Sequence, residues 1–219
     1  MPRHRHASAG VLLTVLLCFD TIVSAAVPAD APLLHAMFQD HAVLQRDQPI
    51  RVWGRAQPGE AVRIALGGNI ARTRADGEGR WEVRLPSLKA GGPHTLTASS
   101  GLRTQTINDV LVGDVWLCSG QSNMELQVWR SLDANTEIAS AAAPTIRLLT
   151  VPQAGSVVAL ETFQGSAQWG TVNPGTLRNF SAACFYFARE LQKTVAVPMG
   201  LVNAAWGGSR IEAWTSADA

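Results

Sequence analysis

The chain has 219 residues, of which 47% are hydrophobic and 16% charged, and its formal net charge is +1. This composition is typical of a folded globular protein, and the length allows one large or two small domains. The nearly neutral charge gives no electrostatic basis for binding nucleic acid. We therefore expect a globular protein whose partner is not a nucleic acid.

The N-terminus has the pattern of an export signal. Arg3 and Arg5 precede the apolar run Val11–Phe19, and the small residues Ser24, Ala25 and Ala26 follow it. The run is too short to span a bilayer as a helix. An uncleaved membrane anchor is the alternative. We predict a signal peptide over residues 1–26, periplasmic or secreted localisation, and no stable membrane span after cleavage.

Short strands separated by turn sequences fill residues 32–108. Val62, Ile64 and Leu66 share one face of a strand, Gly67-Gly68-Asn69 follows as a turn, and Asp76-Gly77-Glu78-Gly79 indicates a hairpin. Strands with turns about every eight to twelve residues predict a small β-sandwich. We expect its tryptophans, Trp53 and Trp81, to fill the core; sugar binding is the alternative. We assign no chemistry to His35, His41 and His94.

An abrupt break in hydrophobicity marks the candidate nucleophile. The apolar run Val110–Cys118 predicts a buried strand of an α/β sheet, and the following turn opens a helix at Ser122. Open α/β sheets bind ligands at the carboxyl ends of their strands, so an exposed hydroxyl beside backbone amides would suit acyl transfer there. Helix capping by Ser122 is the alternative. The segment is not a G-x-S-x-G elbow, because Met124 replaces the last glycine.

Strand and helix patterns alternate after Ser122, which predicts a parallel sheet. The last strand, Met199–Ala205, ends at Trp206-Gly207-Gly208 and should meet the sheet edge that carries Ser122. A backbone amide of this turn is a candidate second oxyanion donor, and a plain tight turn is the alternative. The other predicted elements are helices over Asp133–Ala142 and Leu177–Thr194, a strand over Thr145–Val151, and an irregular stretch over 153–176.

The cysteines that remain after signal removal are Cys118 and Cys184. Two cysteines in an oxidising compartment can pair. However, one lies in the proposed central strand and the other in an apolar helical stretch, so we favour buried free cysteines. No Cys/His cluster has the spacing of metal ligands, and we predict neither a metal nor another cofactor.

Four segments resemble the sialate O-acetylesterase family of the SGNH hydrolases, and the resemblance extends over residues 35–216. The segments are Ile107–Asp114, Val115–Glu125, Asn179–Leu191 and Pro198–Ser216. The resemblance implies that Ser122 is the nucleophile. It also implies an oxyanion hole at Ser122, Gly207 and Gly208, with Gln121, Asn123 and Trp206 as substrate-contacting or supporting residues. The implied substrate is an acetylated sugar, either sialic acid or a sugar derived from plant polysaccharide.

The general base is missing from this pattern. A catalytic serine needs a histidine oriented by an acid, and in the family both follow the serine as Asp-x-x-His. All five histidines of this chain precede Ser122, and the family's Trp-x-Gln-Gly-Glu-Ser block is absent. The base and its acid are therefore expected to be absent from this chain.

The predicted fold class is an N-terminal β-sandwich followed by an incomplete α/β domain, SGNH-like and flavodoxin-like with three layers. We place the sandwich at 32–108 and the α/β esterase domain at 109–219, truncated before the Asp/His segment. The predicted function is deacetylation of acetylated sugars through a serine acyl-enzyme, with little activity from this fragment alone. The alternatives are a carbohydrate-binding protein and a structural protein of the cell envelope, both without catalysis.

Overall fold

The computed structural model describes Pro28 and residues 31–215. The predicted signal peptide, residues 1–26, lies outside the described residues. Among the helices of the described part, none has the length and apolar character needed to cross a membrane.

Strands dominate the first half of the described chain, and helices occur only after Gly120. The strands are β1 Val43–Gln45, β2 Ile50–Arg55, β3 Ala61–Leu66, β4 Asn69–Arg74, β5 Arg80–Leu85, β6 Gly91–Ser100, β7 Arg103–Gly120, β8 Ala143–Thr150, β9 Gly170–Val172 and β10 Met199–Ala205. The α-helices are α1 Ser122–Glu125, α2 Ala134–Ala139, α3 Pro174–Arg178 and α4 Ala182–Gln192, and 3-10 helices span Val128–Arg130 and Ile211–Trp214.

The strands form one mixed sheet and one small sheet. The mixed sheet has the order β4-β3-β6-β7-β10-β8-β9, with β1 paired to β7, and the small sheet consists of β2 and β5. Strands β7, β10 and β8 are parallel, as predicted, whereas β9 is antiparallel to β8. Strand β9 lies inside the stretch that the sequence predicted to be irregular. It was not predicted because three residues are too few to show the alternation of a strand.

Strand β7 connects the two halves of the molecule. Its first half pairs antiparallel with β6, and its second half, from Asp114 to Gly120, pairs parallel with β10. The strand predicted at Val110–Cys118 is confirmed as part of this longer strand, but its predicted burial is only partly right, because Trp116 and Leu117 are exposed. The position between residues 108 and 109, where the sequence suggests a boundary, falls inside it.

Each half of β7 borders its own hydrophobic cluster. The N-terminal cluster takes side chains from both sheets, among them Val52, Ile64, Trp81 and Leu96. The second packs α3 and α4 on the parallel strands. Burying one such aliphatic side chain contributes about 1.5–3 kcal/mol. The second cluster therefore holds the strand ends that carry Ser122 and the double glycine.

The turn at Asp76-Gly77-Glu78-Gly79 is not a hairpin, which corrects the prediction. Strand β5, which follows the turn, pairs with β2 rather than with β4. The Asp76 carboxylate accepts backbone hydrogen bonds from Glu78 and Arg80 at 2.9 and 2.8 Å, and these bonds help to close the turn. The buried side chains Ala75 and Trp81 on either side then direct the chain from one sheet to the other. The hairpin of this region is at Gly67-Gly68, where β3 turns into β4.

The two cysteines are joined, and the prediction of free thiols is wrong. Cys118 on β7 and Cys184 in the first turn of α4 form a disulfide, with 5.9 Å between their Cα atoms. Both side chains are buried, as the sequence indicated. However, the sequence pattern does not reveal that α4 lies directly over this part of β7.

The helix predicted over Leu177–Thr194 is two helices. Ser181 begins α4 because its hydroxyl accepts a hydrogen bond from the Cys184 N–H at 3.1 Å. Asn173 caps α3 in the same way and forms a capping box with Thr176. Each cap satisfies free amides at a helix start, so the chain bends between the two helices without loss of hydrogen bonding.

Candidate active site

Ser122 lies at the carboxyl end of β7, where the sequence placed it. Strand β7 ends at Gly120, whose φ of +142° favours glycine, and Ser122 is the first residue of α1. Gln121 is the N-cap of this helix and makes no side-chain capping bond. The Ser122 hydroxyl makes no hydrogen bond within the described part of the chain. The hydroxyl is exposed and unused, so the structure does not support a capping role.

The double-glycine turn is held next to Ser122 by the register of the parallel strands. Ala205 pairs with Gly120, and the Trp206 N–H donates a hydrogen bond to the Gly120 carbonyl at 2.9 Å. A Cβ atom added to Gly207 would lie 3.5 Å from the Ser122 Oγ. The turn that the sequence paired with Ser122 is therefore in contact distance of it.

Glu125 occupies the space between the helix and the turn. Its carboxylate accepts a hydrogen bond from the Gly207 N–H at 2.5 Å and one from the Gln153 side-chain amide at 2.8 Å. The same Gln153 amide also donates to the Ala205 carbonyl at 3.2 Å. Glu125 and Gln153 were missed by the sequence reasoning; the spacing Ser-x-x-Glu, which places both side chains near one end of a helix, was the available pattern.

The backbone amides predicted to form the oxyanion hole differ in availability. The Gly207 amide is engaged by Glu125. In contrast, the amides of Ser122 and Gly208 have no hydrogen-bond partner among the described residues. Gly208 has a φ of +79°, and the turn is closed by the Ser209 N–H and hydroxyl, which donate to the Trp206 carbonyl at 3.3 and 2.6 Å. Two unpaired amides thus lie on the two turns that meet here.

The remaining predicted residues surround the serine on an open surface. Gln121 and Asn123 are exposed and line, with Ser122 and Met124, a hollow of about 520 Å³. Trp206 is 40% exposed at the end of β10. The site as described therefore has an exposed serine hydroxyl, unpaired backbone amides and an exposed aromatic residue, and it is open to solvent.

Helix α1 is only four residues long and is fixed from behind by α4. The Ala182 N–H donates to the Leu126 carbonyl at 2.8 Å, and the Ser181 hydroxyl contacts the Met124 sulfur at 3.7 Å. The disulfide joins β7 to α4 two residues before Gly120. These connections compensate for the weak intrinsic stability of so short a helix.

One histidine–aspartate pair exists in the described chain, but it cannot serve Ser122. His41 Nδ1 lies 2.7 Å from the Asp109 carboxylate, which also pairs with Arg147 at 2.9 Å. Asp109 precedes Gly120 by eleven positions on the same strand. At about 3.3 Å per residue the two lie roughly 35 Å apart. The pair therefore lies near the middle of β7, far from Ser122.

Asp109 is a structural carboxylate. Its burial by itself raises the pKa of the carboxyl group, but the hydrogen bond with His41 and the charge of Arg147 outweigh burial and hold the pKa below its usual value. Arg147 is buried on β8, so the carboxylate neutralises a cation inside the fold. The cluster of these three residues thus stabilises the junction between the two halves.

The other described histidines also lie on the N-terminal side of the molecule. His35 contacts Trp53, and His94 pairs with Val110 in the ladder between β6 and β7. Among residues 31–215, no histidine contacts Ser122. In this same range there is no group of three or more histidine, cysteine or acidic side chains arranged to hold a metal ion.

Comparison with known proteins connects this geometry to one family. The family model described as "Carbohydrate esterase, sialic acid-specific acetylesterase" matches residues 112–219. The sialate O-acetylesterase of Homo sapiens is 34% identical over 183 residues, which are 75% of this chain and 35% of that protein. The Mus musculus enzyme of the same name is 34% identical over 195 residues, which are 81% of this chain and 36% of that protein.

A solved structure supports the same relationship at the level of the fold. A carbohydrate acetylesterase from Xanthomonas citri is 40% identical, superposes with a TM-score of 0.82, and aligns with 86% of this chain and 43% of its own. The mixed sheet with its helices is consistent with the fold of these esterases. The chain spans about a third of the length of the curated relatives that it matches. Because the family model, the relatives and the fold agree, the chain belongs to the sialate O-acetylesterase family of carbohydrate esterases.

Proposed function

We propose that Ser122 is the nucleophile of an esterase that removes acetyl groups from acetylated sugars. The observation that carries this proposal is the unused Ser122 hydroxyl at the carboxyl end of β7, next to the Gly207-Gly208 turn. The Ser122 Oγ attacks the acetyl carbonyl and forms a tetrahedral oxyanion, to which the amides of Ser122 and Gly208 donate hydrogen bonds. The sugar hydroxyl leaves, and water then releases acetate from the acyl-enzyme.

The proton transfers of this reaction need a base that the described residues do not bring to Ser122. A histidine must take the hydroxyl proton and return it to the leaving sugar oxygen. Relatives are nearly three times as long as the aligned region, and the family pattern has its Asp-x-x-His after the serine. We therefore place the base and its acid outside this chain and expect little hydrolysis from the chain alone.

The same proposal includes the domain assignment and the localisation. They are a β-sandwich over 32–108, an SGNH-like α/β domain over 109–219, and export to the periplasm or medium. Export is supported by the Cys118–Cys184 disulfide, since structural disulfides persist in oxidising compartments. The substrate class is acetylated sialic acid or an acetylated sugar from plant polysaccharide, and we expect neither a nucleic-acid partner nor a stable membrane span.

The test joins this chain to the part of a related esterase that lies beyond the aligned region. A chimera continues the chain into the remaining segment of the Xanthomonas citri carbohydrate acetylesterase, and hydrolysis of 4-nitrophenyl acetate and of acetylated sugars is measured. We expect turnover in the chimera, a loss of about 10³-fold or more in Ser122→Ala, and near-background rates for the 219-residue chain.

Ser119→Ala is the matched control, because Ser119 is another exposed serine at the end of β7. It should retain activity. A chimera that is folded but keeps its activity in Ser122→Ala would exclude Ser122 as nucleophile. Turnover by the isolated chain that disappears in Ser122→Ala would show that the base is within this chain.

A further inference from the structure

A second concave surface, with no lining residue in common with the hollow at Ser122, lies on the N-terminal side of the molecule. We name it the aromatic cleft. It measures about 960 Å³ and is lined by the segment around 31–36, by β2, by β5 and by Glu161-Thr162 of the loop between β8 and β9. This volume is in the range of sites that hold organic ligands.

Trp53 supplies an aromatic surface to the cleft. Its side chain is half-buried and packs edge-on against Phe38, with 4.7 Å between ring centroids, and beside His35 at 5.4 Å. The Arg51 guanidinium lies 5.6 Å from the ring centroid. His35 is itself fixed, because its Nδ1 accepts from the Met37 N–H at 3.1 Å and its Nε2 donates to the Glu161 carbonyl at 3.0 Å.

The wall of the cleft formed by the segment before His35 is preformed. The segment that precedes His35 runs along β2: the Arg55 N–H donates to the Leu33 carbonyl at 3.0 Å, and the His35 N–H to the Trp53 carbonyl at 3.1 Å. A Cβ atom added to Gly54 would lie 1.9 Å from the Leu33 oxygen, so the two backbones are in direct contact. A preformed wall lowers the ordering cost of binding.

The charged side chains of the cleft cancel one another. Three arginines, Arg51, Arg55 and Arg80, are matched by the three carboxylates Asp76, Glu82 and Glu161. Every arginine is already paired: Arg51 with Glu82 at 2.6 Å, Arg55 with Glu161, and Arg80 with Asp76 at 3.2 Å and with Glu161 at 3.3 Å. The cleft thus has no net charge that attracts an anion, and it offers hydrogen-bond donors and acceptors in alternation.

One wall also contains a donor without a partner. Trp81 is 4% exposed, and its indole nitrogen makes no hydrogen bond within the described residues. Buried donors that lack a partner are uncommon and costly. Because the nitrogen is covered in this structure, a ligand oxygen reaches it only when the side chains around it move.

We propose that the aromatic cleft binds a neutral oligosaccharide. The apolar C–H face of a sugar ring packs on Trp53, and sugar hydroxyls donate to carboxylates and accept from guanidinium groups that lie beside each other. An anionic sugar would meet three carboxylates and gain no free arginine. The binding goes beyond the esterase reaction and does not require Ser122.

The cleft and the nucleophile are connected through one loop. The loop between β8 and β9 contacts Glu125 through Gln153 at its start and lines the cleft through Glu161. A glycan that occupies the cleft therefore contacts the segment that also supports the site at Ser122. This arrangement suits an accessory subsite for a polymeric substrate.

The experiment measures binding by the 219-residue chain with Ser122→Ala, so that hydrolysis plays no part. Cellohexaose, xylohexaose and mannohexaose are the neutral probes, a sialic acid oligomer is the anionic probe, and calorimetry and saturation-transfer NMR are the readouts. We expect saturable binding of at least one neutral hexasaccharide. Trp53→Ala should weaken it by about tenfold or more, and Trp81→Phe, which removes the indole N–H but keeps an aromatic ring, by less.

Trp129→Ala is the matched control, because Trp129 is 47% exposed, also has an arginine over its ring, and lies outside the cleft. It should bind like the parent. Glu161→Gln, an exposed change that does not threaten folding, should weaken neutral binding and favour the anionic probe. Absence of binding by all neutral probes, preference for the anionic probe in the parent, or binding unaffected by both Trp53→Ala and Glu161→Gln would each overturn the proposal.

Discussion

The carboxylate of Glu125 accepts a hydrogen bond from the Gly207 N–H at 2.5 Å and thereby joins the helix that begins at Ser122 to the double-glycine turn. This contact holds together two segments that are more than eighty residues apart in the sequence. It also engages the Gly207 amide, which is therefore not among the donors that we propose for the oxyanion. The geometry next to Ser122 therefore depends on a charged side chain for which the sequence pattern provided no role.

Replacing Gly207 by alanine should disrupt this contact. The new Cβ would lie 2.3 Å from the Glu125 Oε2, so the carboxylate must move and its hydrogen bond is lost. We expect Gly207→Ala to lower the free energy of unfolding by about 1–3 kcal/mol, measured by urea denaturation of the 219-residue chain.

The neighbouring glycine provides the control. At Gly208 a Cβ meets nothing within 4 Å, but φ is +79°, so Gly208→Ala should cost about 1 kcal/mol through backbone strain alone. If the clash with Glu125 is the cause, Gly207→Ala becomes milder in a Glu125→Ala background, while Gly208→Ala does not. If Gly207→Ala lowers the free energy of unfolding equally in the parent and in the Glu125→Ala background, the steric explanation is contradicted.

Glu125→Gln tests the charge on the same contact. The two carboxylate oxygens accept hydrogen bonds from Gly207 and Gln153. A glutamine side chain has only one oxygen, so its NH2 group would face one of these two donors without an acceptor. We expect a loss of about 1–2 kcal/mol in unfolding free energy, since charge-assisted hydrogen bonds are lost. In the chimera this substitution should lower kcat for ester hydrolysis, because the turn beside Ser122 loosens; unchanged kcat and unchanged stability would exclude a supporting role.

The sequence predicted the strand that leads to Ser122 and the strand that leads to Gly207, because long apolar runs and glycine-rich breaks are local patterns. It also predicted their meeting, since carboxyl ends of parallel strands share an edge. Glu125 and Gln153 were not predicted, because their contact depends on where the loop after β8 returns. The pairing of β5 with β2 was missed for a similar reason: a turn sequence states that the chain reverses, not which sheet it enters.

The cysteines show the same limit of local pattern. Burial of Cys118 and Cys184 followed from their apolar neighbours, whereas their pairing requires the position of α4 on β7. The histidines of the N-terminal half were assigned no chemistry, and the structure places His41 beside Asp109 and Arg147 near the middle of β7. The cluster of His41, Asp109 and Arg147 could not be predicted, because the three residues are far apart in the sequence and meet only in the folded chain.

The disulfide should be a measurable source of stability. It closes a separation of 66 residues, so in the chain-entropy description its removal costs about 4 kcal/mol. We expect this loss in unfolding free energy for the chain without residues 1–26 when Cys118→Ala and Cys184→Ala are combined. Reduction of the parent should give a similar loss and should leave the double variant unchanged; two free thiols titrated in the non-reduced protein would contradict the bond.

The last prediction concerns acid stability at the junction of the two halves. The pKa of Asp109 is held below its usual value, because the hydrogen bond with His41 and the charge of Arg147 outweigh the cost of burial. A carboxyl whose folded pKa is lowered contributes stability above its unfolded pKa, about 3.9, and loses that contribution as the pH falls through the folded pKa. The free energy of unfolding should therefore decline below about pH 4, in part through Asp109.

Asp109→Asn isolates this contribution. At pH 7 the variant leaves the buried Arg147 without its carboxylate, and we expect a loss of about 1–3 kcal/mol, which allows for the partial exposure of Asp109. Urea denaturation at several pH values should show the difference from the parent shrinking as the pH falls below about 4. Asp133→Asn, at an exposed carboxylate without an ion pair in the described residues, should reproduce neither effect. A difference that stays constant down to pH 2.5 would show that Asp109 acts through packing and not through its charge.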